Sequence, residues 1–114
     1  MKNRIGDKER LLHISDAIES IIDFTAGISY EQYNEDFKLR LALIKLLEII
    51  GEASVGISPD IQEKFSEIDW SILKSVRNVL VHEYFGVDYE IIWNTIKTNI
   101  PELKVRIENI LNQM

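Results

Sequence analysis

Five side chains able to do chemistry fall within eight positions of one short stretch, RNVLVHEYFG (residues 77–86): Arg77, Asn78, His82, Glu83 and Tyr84. Such groups are costly to bury unless paired, so they either face solvent or form a site. Histidine changes charge near neutral pH and serves as general base or acid. Arginine grips phosphate with a rigid fork and can steady the charge of a five-coordinate phosphorus. Asn78 can orient His82 or donate to an oxyanion, and Tyr84 can donate or stack on a base. Together these groups suit metal-independent RNA cleavage. His82 would assist attack of a ribose 2′-hydroxyl on the adjacent phosphate, Arg77 would steady the transition state, and a cyclic phosphate end would result. The plainer reading stands beside this one. An Arg-x4-His pair in a helix is common as solvated or structural decoration, Tyr84 and Phe85 suit helix-end packing, and Glu83 suits simple exposure.

Helical geometry limits what one copy of the stretch can do. Asn78 and His82 share a face, as do Arg77 and Tyr84, but Arg77 and His82 sit roughly 140° apart on an ideal helix. Two arrangements bring them to one phosphate. The helix can end near His82 and let HEYFG turn, or a two-fold dimer can build a common cleft from two copies. A dimer would also supply two histidines, one as base and one as acid.

The elements that must carry these residues read as helices. Leu11, Ile14, Ile18, Ile21 and Ile22 recur at helical spacing over about 7–24, and TAGIS then breaks the pattern. A second helix is expected from about Tyr30 to Ser54, with Phe37, Leu41, Ile44, Leu47 and Ile50 as one stripe. Leu39, Leu43, Leu46 and Ile49 widen it nearly all round, which invites a partner subunit. Ser58 and Pro59 open a short helix as N-cap and first residue. Asp69 caps a helix whose Trp70, Leu73, Val76 and Leu80 face inward, with Gly86 closing it. Asp88 caps a last helix containing Ile91, Ile92 and Ile96, which Pro101 should break or kink before PELKVRIENIL completes it. No window alternates as paired strands do. The expectation is one all-α domain over residues 1–114, a largely antiparallel bundle of four to five helices.

Bulk composition narrows the function classes. The 114 residues carry 46% hydrophobic and 28% charged side chains, as a single globular domain does. There is no cysteine, which excludes disulfides and thiolate metal sites. Asp7, Glu9, Asp16 and Glu19 interrupt every early apolar run, so neither a signal peptide nor a membrane span is expected, and the location expected is cytoplasmic. A net charge of −6 argues against a passive nucleic-acid binder but leaves room for an enzyme with a small basic cleft. His13 and His82 lie far apart without a His-x3-His or carboxylate cluster, so no metal site is expected. No glycine-rich phosphate loop and no Ser-His-Asp arrangement can be placed either.

RNVLVHEY resembles the Arg-x4-His-x-Tyr signature of the HepT-like toxins, in the HEPN superfamily of small helical ribonucleases. LLEIIGEAS (46–54) is similar to that family's second-helix end. Residues 68–103 follow the family pattern through Trp70, Tyr84, Asp88, Trp93 and Pro101. The resemblance implies a HEPN-like bundle that is homodimeric and sets two Arg-x4-His motifs in a shared cleft. It makes Arg77 and His82 catalytic, Asn78 the usual polar residue after the arginine, and Glu52 a recurring residue, either a partner for Arg77 or a solvated helix-end carboxylate. It also implies a minimal nucleotidyltransferase antitoxin that uses ATP to place AMP on Tyr84; cleavage itself needs no cofactor. The added bulk and negative charge would stand where RNA phosphate must enter. Lys38, Arg40 and Lys45 are candidates for lining the RNA cleft, with a charged solvent face as the plainer alternative. His13 is expected to be structural or exposed. Two rivals remain: a non-catalytic binding module that serves as the transferase's partner and substrate, and a plain helical interaction protein.

Overall fold

The computed structural model describes residues 6–71, 73 and 88–114. Among them all regular structure is helical, as the sequence patterning predicts: α1 (Asp7–Thr25), α2 (Tyr30–Glu35), α3 (Phe37–Val55), α4 (Pro59–Lys64) and α5 (Tyr89–Asn112). A further helical turn opens at Trp70.

Each boundary has a local cause. The Glu9 carboxylate accepts the Gly6 amide ahead of α1. After α1 the chain turns through Gly27 at φ +72, a left-handed conformation that favours glycine. Ser58 caps α4 with Pro59 in its first turn, and Asp88 caps α5 by accepting the Glu90 and Ile91 amides. The Ser58 and Asp88 caps lie where the sequence puts them.

Two expectations are corrected. The single helix read over 30–54 is two helices, because Asp36 adopts an extended conformation and its carboxylate accepts the Leu39 amide at 3.0 Å. It thereby ends α2 and caps α3. Conversely, of the break or kink expected at Pro101, the break does not occur. α5 runs through it, since Pro101 faces solvent while Ile100 and Leu103 on either side continue the buried stripe.

The core is built from helical stripes. Leu11, Ile14, Ile18 and Ile21 of α1 meet Leu43, Ile44, Leu47 and Ile50 of α3, and Ile96, Ile100, Leu103, Ile107 and Ile110 of α5 join them. Burying each large aliphatic side chain contributes about 1.5–3 kcal/mol. α1 packs on both α3 and α5, and α2 lies against α3. Asp7 fixes the sense of the α1–α3 pair: it accepts both the Ser58 amide (2.8 Å) and the Ser58 hydroxyl (2.7 Å), so the start of α1 meets the chain just past the end of α3. The buried hydroxyls of Thr25 and Ser54 donate to the carbonyls of Ile21 and Ile50 within their own helices.

The inward stripe of α3 begins later than its sequence suggests. Phe37 and Leu41 are 59% and 38% exposed. Tyr33 is buried beside the start of α3, and the exposed Phe37 ring lies 5.8 Å from the part-buried Arg40 guanidinium.

Candidate active site

Arg77, Asn78, His82 and Tyr84 lie outside the described residues, as do Val76, Leu80 and Gly86. What the structure gives is the frame around the stretch that carries them. On the entry side, Trp70 is buried and its indole N–H donates to the Phe65 carbonyl at 3.1 Å. Asp69, the expected cap, accepts the Leu73 amide through its carbonyl and the Ser71 hydroxyl through its carboxylate.

On the exit side, Tyr89 opens α5 and is held from α2 and α3. The Tyr33 side chain is wholly buried, and its hydroxyl donates to the Tyr89 carbonyl at 2.7 Å. Its ring lies 4.7 Å from that of Trp93, and Tyr30 completes the aromatic group. Burial pushes the Tyr33 phenol up to about 12, with the Arg40 guanidinium opposing the shift. Arg40 stacks 4.8 Å from the Tyr89 ring and donates to the carbonyls of Tyr33 and Asn34 at the end of α2.

The remaining candidates fall in different places. Glu52 and Lys45 lie seven residues apart on α3 and line one cleft of about 210 Å³. Arg10 and His13 of α1 line it too, with Glu48, Ile49 and Ala53 of α3. Lys45 pairs with Glu48 at 3.3 Å and is largely exposed. Lys38 is exposed two turns earlier on the same helix. Arg40 is not part of this cleft; it belongs to the clasp around Tyr89. His13 is exposed, as expected, yet it stands in the cleft beside Glu52.

Arg10 and His13 were not singled out by spacing as companions of Glu52. They lie on the polar side of the α1 stripe, and only the pairing of α1 with α3 sets them against residues 45–53. Gly56 at the end of α3 marks that approach: a Cβ there would lie 2.0 Å from an Arg10 guanidinium nitrogen. Among the described residues, no group of three or more His, Cys, Asp or Glu side chains could hold a metal ion, and no helix is long and apolar enough to cross a membrane.

The comparisons with known proteins agree with the frame. A relative from Methanocaldococcus jannaschii, provisionally named an RNase, is 39% identical over 89% of this chain and 93% of its own length. A Caldanaerobacter subterraneus subsp. tengcongensis protein, also provisionally named an RNase, is 42% identical over 90% and 92%. A Thermococcus cleftensis protein named a probable ribonuclease HepT is 43% identical over 90% and 94%. No solved structure matches. The family model described as ribonuclease HepT-like matches residues 14–110, a span that contains the Arg77–Tyr84 stretch and both of its anchored flanks, and the chain belongs to that family.

Proposed function

We propose that this protein is a metal-independent endoribonuclease toxin of a two-gene module. Two subunits form the active unit, and Arg77 and His82 of both copies meet in a shared cleft. A histidine takes the proton of a ribose 2′-hydroxyl, whose oxygen attacks the adjacent phosphorus. The P–O5′ bond breaks, the leaving 5′-oxygen receives a proton from the second histidine, and a 2′,3′-cyclic phosphate remains. Arg77 neutralises the charge that develops on phosphorus. The nucleophile belongs to the substrate, so no metal-bound water is required. Asn78 orients His82, and Glu52 supports the cleft.

The regulatory partner is a minimal nucleotidyltransferase antitoxin. It joins the α-phosphate of ATP to the Tyr84 hydroxyl and releases pyrophosphate, which leaves a charged, bulky group two residues from His82. The protein acts in the cytoplasm.

The observation that carries this reading is the family match over 14–110, in a chain that contains Arg-x4-His-x-Tyr within it. The names of the relatives support RNA as the substrate. Support for a dimer comes from α3, where Phe37, Leu41 and Val55 remain exposed. The three fall within about 40° of one another on an ideal helix.

The test is incubation of the purified protein with total cell RNA, with and without chelator. Cleavage should persist with chelator, leave cyclic phosphate ends, and fall by about 10² or more in His82→Ala and Arg77→Ala. A wild type that cuts nothing and is harmless when expressed would favour a non-catalytic partner of the transferase. Intact mass after mixing with a neighbouring transferase and ATP tests the acceptor: AMP additions that survive Tyr84→Phe would defeat the assignment.

A further inference from the structure

Arg40 enters the sequence reading as a candidate RNA contact, but its side chain is engaged within the protein. Its guanidinium bridges three helices: it extends from α3, donates to the last carbonyls of α2, and stacks on Tyr89, the first residue of α5. Tyr33 reinforces the same point, with its buried hydroxyl 2.7 Å from the Tyr89 carbonyl. Tyr89 is where the chain emerges from the stretch that carries His82 and Tyr84. A directional hydrogen bond from a buried tyrosine and a guanidinium over the aromatic ring of the same residue define a position as well as adding stability.

We propose that Tyr33 and Arg40 are positioning residues for the ribonuclease centre, acting through the start of α5. They fix the point from which the catalytic segment departs, so that His82 reaches the phosphate in register with Arg77. The inference rests on the RNA cleavage proposed above. It makes a different demand on Arg40 than an RNA contact does. A positioning residue changes kcat, because misplacement of about 1 Å costs catalysis steeply. A phosphate contact changes KM and its salt dependence, and a lysine in its place retains much of the effect.

The experiment compares Tyr33→Phe, Arg40→Lys and Arg40→Gln with Ser54→Ala, which removes a buried hydrogen bond far from the clasp. Steady-state cleavage of a short RNA is followed in each. The two Arg40 variants and Tyr33→Phe should lose about tenfold in kcat, with KM within about twofold of wild type. Ser54→Ala should keep wild-type kcat, and Arg40→Lys should not rescue.

A second readout needs no activity. The chain has no cysteine, so Glu83→Cys carries a single nitroxide label. Its spectrum should sharpen when Tyr33 or Arg40 is changed and stay as it was with Ser54→Ala. An unchanged spectrum, or a loss confined to KM that Arg40→Lys restores, overturns the inference. A wild type that cuts no RNA sinks the functional reading instead, and the label spectrum then decides the clasp by itself.

Discussion

Tyr33 shows how much one side chain can be asked to do. Its ring is fully buried against Trp93, its hydroxyl is committed to the Tyr89 carbonyl, and burial raises its pKa from 10.0 to about 12. The folded state therefore holds the phenolic proton more tightly than the unfolded chain does. That contribution is fully present below pH 10 and is lost as pH rises through about 12. A shift of this size corresponds to about 3 kcal/mol. Urea unfolding of the wild type should weaken more steeply between pH 10 and 12 than that of Tyr33→Phe, which lacks the titrating group. Parallel slopes for the two proteins would show that the buried hydroxyl does not control the alkaline limit.

At the scale of the element, α5 is the informative case. A proline inside a helix removes one backbone hydrogen bond and costs about 3 kcal/mol relative to alanine. α5 accommodates Pro101 on its solvent face while six isoleucine and leucine side chains from Ile92 to Ile110 stay in the core. Pro101→Ala should therefore raise stability by about 1–3 kcal/mol, less where the freer unfolded chain offsets the gain. The urea midpoint measures it. A drop in stability would mean that a proline-induced bend seats Ile100 and Leu103. α3 teaches the complementary point: one capping carboxylate, Asp36, is enough to divide what periodicity alone reads as a single helix.

For the whole molecule, the decisive property is assembly. Arg77 and His82 diverge by roughly 140° on an ideal helix, so bringing them to one phosphate takes a turn at His82 or a second copy, and the proposed cleft uses the second copy. Specific ribonuclease activity should then fall on dilution as the concentration passes below the dimer dissociation constant measured by sedimentation, and Leu41→Glu on the exposed face of α3 should move both together. Activity that stays constant while the protein sediments as a monomer would end the composite-cleft mechanism. The charge of −6 adds a second consequence. RNA approaches a repulsive molecule, so capture depends on a local basic surface, and KM should rise with salt.

The amino-acid sequence by itself determined the helical class, the caps at Ser58 and Asp88, the stripe of α1, and the motif that marks the family; of the isoleucines it placed in the last helix, Ile92 and Ile96 are buried and Ile91 is exposed. All of these are local: a cap needs one side chain and the next two or three amides, and a stripe needs only the helical repeat. What apolar spacing alone did not settle was which face of α3 turns inward, because successive steps of three residues carry the stripe round the helix: on an ideal helix Leu41 sits about 180° from Ile50, and Phe37 about 140° from it. In the folded protein the buried face runs through Leu43, Ile44, Leu47 and Ile50, and Phe37 and Leu41 are left exposed. The tertiary structure also engaged Arg40 with the end of α2 and with Tyr89, and set Arg10 and His13 beside Glu52. Those outcomes depend on which helices meet and in which sense, and residues as far apart as Asp7 and Ser58 fix that only once the core has closed.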